Sequence, residues 1–74
     1  MKEIFVKNKQ RFFRIHYPFE NLPLLTEKKR CIHCGEVITV GDFKVFQDEN
    51  QFKFICCPNA PECDGTVIDW FDLD

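Results

Sequence analysis

The sequence predicts a small metal-stabilised all-β domain, and three observations predict it. Its 74 residues are too few to bury a self-sufficient core. Four of its five cysteines fall into two closely spaced pairs: Cys31-Ile-His-Cys34 with Gly35 behind it and, after 21 further residues, Cys57-Pro-Asn-Ala-Pro-Glu-Cys63. The segments around these pairs are short runs rich in β-branched and aromatic residues, bounded by Gly, Pro and Asn.

The cysteines are the only available staple. With 45% apolar and 15% aromatic residues the chain is too hydrophobic for disorder, yet a domain of this size needs support beyond its core. Thiolates are soft donors, and two short-spaced pairs let four sulfurs and the N–H groups of the turns converge on one ion. A tetrahedral, structural Zn2+ is the expected occupant. The odd number of cysteines argues against a closed disulfide framework, and Met1–Lys9 has no apolar signal-peptide core. A reducing, cytoplasmic location is expected. No apolar run approaches the roughly 20 residues needed to span a bilayer, so no membrane partner is expected.

Charge is divided unevenly along the chain. Residues 1–30 carry eight basic residues against three acids, a net of +5, and the remainder carries nine acids against two lysines, a net of −7. The halves can attract one another or can show partners two opposite faces, and both readings stay open.

In order, Ile4–Lys7 and Gln10–Tyr17 read as strands of a basic β-hairpin turning at Asn8-Lys9, with a helix as the competing reading. A packed or mobile N-terminal arm over residues 1–30 is expected, joined to a metal-binding unit over 31–74 within a single domain. Pro18 and Pro23 interrupt regular structure, so Asn21–Arg30 reads as a connector whose leucines dock on the rest. Gly35 stands where the chain turns just past the second ligand. Val37–Val40 reads as a strand, Gly41-Asp42 as a turn, Phe43–Gln47 as a second strand and Asp48–Gln51 as a polar tip. Phe52–Cys57 returns the chain to the metal. Thr66–Trp70 closes as a last strand, and Phe71–Asp74 forms an acidic tail.

Pro58 and strand alternation together choose between adjacent Cys56 and Cys57. A proline after a ligand narrows the turn and leaves no N–H unpaired, which favours Cys57. Neighbours on a strand point to opposite faces, so Cys56 turns away, as a small buried hydrophobe on the face of Phe52 and Phe54. The competing reading of Cys56, a redox-sensing thiol, needs positive surroundings that this acidic half lacks. The predicted ligands are Cys31, Cys34, Cys57 and Cys63. His33, between the first two, is expected to face outward, and His16 to be an ordinary polar residue. Phe43, Phe46, Phe52, Phe54 and Trp70 are core candidates.

Residues 31–63 resemble the four-cysteine zinc ribbons at the C-terminus of type IA DNA topoisomerases. In that family a Cys-x-x-Cys-Gly knuckle is followed, a hairpin later, by a stretch close to Lys-Phe-Ile-Gly-Cys-Ser-Asn-Tyr-Pro-Glu-Cys. The counterpart here is Lys53-Phe-Ile-Cys-Cys-Pro-Asn-Ala-Pro-Glu-Cys63. The resemblance covers under half of the chain. It implies a zinc ribbon of rubredoxin-like fold, with two knuckles and an antiparallel sheet, and it places Cys56 on the family's glycine. It also implies a link to single-stranded DNA, from which this chain departs through its acidic strands and through Ala60, where the family has an aromatic ring.

Three functions follow as expectations. The first is a non-catalytic zinc-binding module that meets a protein partner. The second is single-stranded nucleic-acid binding by Lys7, Lys9, Arg11, Arg14, Lys28, Lys29 and Arg30, with Phe12, Phe13 or Tyr17 offered for base stacking. The third is a rubredoxin-like iron electron carrier, disfavoured by the five-residue gap in the second pair. An enzyme is not expected. Four cysteine ligands leave a metal no open position, and no nucleophile–base or paired-carboxylate constellation is present.

Overall fold

Two small antiparallel sheets meet over one core, and the computed structural model describes residues 1–73 of the chain. The strands are β1 (Lys2–Ile4), β2 (Lys28–Cys31), β3 (Val37–Thr39), β4 (Lys44–Gln47), β5 (Lys53–Cys56) and β6 (Trp70–Asp72), with one helix, α1 (Lys9–His16). One sheet has the order β1-β4-β5 and the other β3-β2-β6.

Residues 10–17 do not form the second strand of a hairpin. Through His16 they are helical, with Tyr17 as the extended cap, and β1 pairs with β4 instead, setting Ile4 opposite Val45. Asn8 is the reason at the local level. Its side-chain oxygen accepts the Arg11 N–H at 3.1 Å, so the residue read as a hairpin turn is an N-cap. Burial is the reason at the tertiary level. The helix drives Phe13, fully buried, against Phe43 with ring centroids 5.4 Å apart, and lays Phe12 along the same ring. An isolated two-stranded ribbon would bury neither. Lys9 fixes the helix start, its ammonium donating to the carbonyls of Gly41 at 2.9 Å and Phe43 at 2.6 Å. Pro18 follows the Tyr17 N–H to Phe13 carbonyl bond that ends the helix.

The stretch expected to be a connector contains β2, the central strand of its sheet. Lys29 lies opposite both Ile38 and Asp72, and Cys31 lies opposite Trp70. Lys-Lys-Arg-Cys has no alternation to announce a strand, and pairing on both sides supplies what propensity does not. Of the connector's leucines, Leu25 packs against the core while Leu24 is exposed. After β3, residues Val40–Asp42 form a 3₁₀ turn, so the strand expected to reach Val40 stops one residue sooner.

The β4–β5 hairpin turns at Asp48, whose carboxylate accepts the N–H groups of Asn50 and Phe52, each at 2.9 Å. Its pleat has two consequences. Val45 and Ile55 face the main core with Ile4, while Phe46, Phe54 and Cys56 face the other way. There Phe46 and Cys56 form a second, smaller buried cluster with Ala60. Phe52 and Phe54, expected in the core, are partly or largely exposed.

The closing strand also moves. Thr66–Asp69 is a capped turn, with the Thr66 N–H bonded to the Asp69 carboxylate at 2.9 Å and a 3₁₀ helix over Val67–Asp69. The strand itself is Trp70–Asp72. Cys56 bridges Thr66 on the first sheet, whereas Trp70 pairs with Cys31 on the second, and the turn carries the chain between them. Of the expected acidic tail, Phe71 and Asp72 belong to β6, and Asp74 lies outside the described residues.

Because Phe13 sits in the same core cluster as Cys31, Val45 and Trp70, residues of the N-terminal segment should matter to the stability of the whole. Phe13→Ala should cost about 3–5 kcal/mol in urea unfolding of the metal-loaded protein. Phe5→Ala, at an 89% exposed position, should change it by less than about 0.5 kcal/mol. Equal and negligible effects would mean that the helix does not share the core.

Candidate metal centre

The two cysteine pairs sit at the ends of strands from different sheets. β2 ends at Cys31, and the chain then folds into a tight turn in which the Gly35 N–H reaches the Cys31 carbonyl at 2.8 Å and the Cys31 N–H reaches Glu36 at 3.0 Å. Gly35 has φ +74°, left-handed backbone that a side chain would strain. β5 ends at Cys56, and Cys57 opens the second turn, closed by the Ala60 N–H to Cys57 carbonyl bond at 2.9 Å and the Cys63 N–H to Asn59 carbonyl bond at 3.1 Å.

Cys31, Cys34, Cys57 and Cys63 bring their sulfurs within 4.8 Å of one another. Cys31 and Cys63 are 3.6 Å apart, and Cys34 and Cys57 are 3.9 Å apart. Those separations are far beyond the roughly 2.05 Å of a disulfide. These two separations are close to the roughly 3.8 Å edge of a tetrahedron whose centre lies about 2.3 Å from each thiolate, and all four sulfurs lie within 4.8 Å of one another. The four residues named from spacing are thus the four the fold assembles.

Around the sulfurs lie N–H donors. The Asn59 N–H points to Cys57 Sγ at 3.4 Å, the Gly65 N–H to Cys63 Sγ at 3.3 Å, and the Asn59 side-chain amide to Cys34 Sγ at 3.6 Å. The half-buried Cys34 thiol is drawn down to about 7, first by the backbone N–H of Glu36 and then by the Asn59 amide. Burial acts oppositely elsewhere. It pushes the Cys57 and Cys63 thiols up, because a thiolate there loses water and gains too little in return. A cation among the four sulfurs would supply that missing return.

Two residues of this centre had no assigned role in the sequence. Gly65 is one: a Cβ on it would lie 2.7 Å from Cys31 Sγ and 3.2 Å from Cys63 Sγ, so only glycine leaves room for the sulfurs. Asn59 is the other. Each stands two residues after a ligand, and that spacing is the signal that could have found them.

The remaining expected residues fall elsewhere. Cys56 is buried on the opposite face of β5, its thiol pushed up by burial. His33 is half exposed, with Nε2 3.5 Å from the Asp69 carboxylate, and His16 stacks on Phe12 at 4.1 Å. Several of the basic residues grouped for nucleic acid take hydrogen-bond partners within the fold. Lys9 is bound to carbonyls, Lys28 donates to Thr39, Lys29 pairs with Asp72 and Arg30 donates to the Gly35 carbonyl. Phe13 is fully buried and offers no face to a base. Arg11 and Arg14 remain, three residues apart on α1 and so on one side of it, with Lys7 just before the Asn8 cap.

Comparison with family models, with curated proteins and with solved structures finds no match to this chain.

The geometry separates adjacent cysteines experimentally. Serine at Cys31, Cys34, Cys57 or Cys63 should abolish stoichiometric metal binding, whereas Cys56→Ser should retain the metal with a stability loss of about 1–2 kcal/mol. Gly65→Ala, which changes no ligand, should weaken metal affinity by about tenfold or more, read by competition with a chromophoric chelator. Proton release sets the pH dependence. At neutral pH Cys57 and Cys63 hold their protons in the metal-free chain, where burial raises them if the fold persists and where an ordinary thiol titrates at about 8.5 if it does not, so metal must displace them and affinity must fall as pH falls. Calorimetry in buffers of different ionisation enthalpy should count at least two protons released per metal bound at pH 7.

Proposed function

We propose that the four-cysteine centre holds one structural zinc ion and that the protein is a non-catalytic zinc ribbon acting as a protein-interaction module. The observation that carries this reading is the set of sulfur separations, 3.6 and 3.9 Å, which suit a tetrahedral ion bound by four thiolates. Such a centre is closed. Its role is to hold two turns and two sheets in place rather than to activate water or substrate. The ribbon assignment is supported by a knuckle at the end of β2 and another at the end of β5, and by the likeness of Lys53–Cys63 to the topoisomerase ribbons. All five cysteines are free in the fold, which favours a reducing, cytoplasmic setting. No described helix is long and apolar enough to cross a membrane.

Exposed apolar side chains favour a protein partner. Phe52, Ile68 and Phe71 are each more than half exposed on a chain of only 74 residues. The single-stranded nucleic-acid reading retains Lys7, Arg11, Arg14, Lys28 and Arg30, exposed cations with no ion pair among the described residues. It loses the stacking surface of the buried Phe13, and Lys29, which pairs with Asp72. Binding of an oligonucleotide through so few charges should be weak, with a shallow salt dependence.

Metal analysis of the purified protein should find one zinc per chain and a colourless solution; a red, iron-loaded protein would favour the electron carrier. Removal of the metal by a strong chelator should unfold the chain, because binding of this kind is worth on the order of 10 kcal/mol. The partner class is decided by a pull-down on the zinc-loaded protein with and without nuclease. A protein captured in both arms supports the interaction module, and capture lost with nuclease supports nucleic acid.

A further inference from the structure

The outer face of the first sheet carries an apolar hollow that neither the core nor the metal centre uses. It encloses about 340 Å³ and is floored by Phe46, Phe54, Cys56 and Ala60, with Met1 at its edge. Its floor is the second buried cluster seen from outside. Phe54, directly opposite Phe46 in the ladder, remains 38% exposed there, an aromatic ring lining a concavity on a structured strand. That is a place for an apolar side chain from elsewhere.

The rim of the hollow is acidic. Asp48 and Asp64 line it, and Glu3 shares the ladder row of Phe46 and Phe54 and hence their face. None of the three has an ion-pair partner among the described residues. Cys63 and Gly65 line the inner wall, so the metal centre lies just behind it, and four thiolates around a divalent ion carry a net charge of −2. One cation lies on this face: Lys44, opposite Cys56, donates to the Ala60 carbonyl at 2.7 Å and keeps its charge, so it offsets one of the three carboxylates, while Lys53 occupies the alternate ladder row, which faces the other way.

We propose that this hollow is the docking site for a segment of a partner protein that presents one bulky apolar side chain flanked by lysine or arginine. The apolar side chain fills the space over Phe46, Phe54 and Cys56, and the flanking cations meet Asp48 and Asp64. Two copies meeting hollow to hollow are disfavoured, because the rims would bring carboxylates against carboxylates. The inference rests on the reading of the protein as an interaction module and names the face and the chemistry of its partner.

The test uses the full metal-loaded chain, ¹⁵N-labelled, titrated with two acetylated and amidated pentapeptides. In one, phenylalanine and leucine alternate with lysine; in the other, glutamate replaces lysine. The lysine peptide should shift the amides of Phe46, Phe54, Cys56, Ala60 and Thr66, and the glutamate peptide should not. Asp48→Asn with Asp64→Asn, which keeps the oxygen that caps the Asp48 turn, should weaken binding by about threefold to tenfold. Phe54→Ser should weaken it by about tenfold or more, with zinc content and amide dispersion retained. Equal binding of both peptides, shifts centred elsewhere, or no shifts at all would overturn the proposal. So would shifts of the same amides on concentrating the peptide-free protein, which would make the occupant a second copy. The broader reading fails separately. A protein partner captured equally well by the parent chain and by Phe54→Ser would refute the hollow and leave the interaction module standing, whereas a pull-down that returns no protein partner would end both.

Discussion

Four sulfur atoms from two strands of different sheets must meet in one place, and most of the fold serves that requirement. β2 belongs to one sheet and delivers Cys31; β5 belongs to the other and delivers Cys57. Neither sheet has more than three strands, and each alone would be marginal in water. Burial of Cys31, Cys57 and Cys63 in the common core ties the two sheets through the sulfur cluster itself. It also explains why the surrounding positions are exacting. Gly65 must lack a side chain because Cys31 Sγ occupies the space its Cβ would take, and the N–H groups of Gly65 and Asn59 point to the sulfurs of Cys63 and Cys57.

The cysteine centre was legible in the sequence because its information is local. Spacing within each pair, Pro58 and the period-two rule suffice to choose Cys57 over Cys56, and none of them depends on the rest of the chain. The first half was harder to read because its structure is decided from outside. Gln10–Tyr17 contains four aromatic or β-branched residues in strand-like density, and only the demand to bury Phe13 on Phe43, with Asn8 free to cap, makes it a helix. Lys28–Cys31 is the stronger case. Its strand exists because β3 and β6 flank it, and the sequence of those four residues names neither neighbour.

The divided charge resolves in the same way. A run such as Lys28-Lys29-Arg30 suggests a surface for phosphate when read as a string, but a strand sends successive side chains to opposite faces. Lys29 pairs with Asp72 directly across β6, Lys28 reaches Thr39 across β3, and Arg30 reaches back to the first knuckle at Gly35. Lys9 and Lys44 likewise donate to backbone carbonyls of other segments. Cations from both halves thus also hold the chain together, through bonds to uncharged oxygens more than through ion pairs.

The adjacent cysteines show how one strand can support the second knuckle from both sides. The pleat of β5 sends Ile55 and then Cys57 inward and Phe54 and then Cys56 outward. Cys57 holds the knuckle by its sulfur, while Cys56 packs with Phe46 against Ala60, a residue of that same knuckle. Lys44, opposite Cys56 in the ladder, donates to the Ala60 carbonyl. The loop between Cys57 and Cys63 is therefore fixed by the sulfur cluster on one face of the sheet and by packing and a hydrogen bond on the other. A thiol suits the outward position because it is small and apolar enough to lie beneath Ala60. A larger residue at Cys56 would lift the loop and, with it, the sulfur of Cys63.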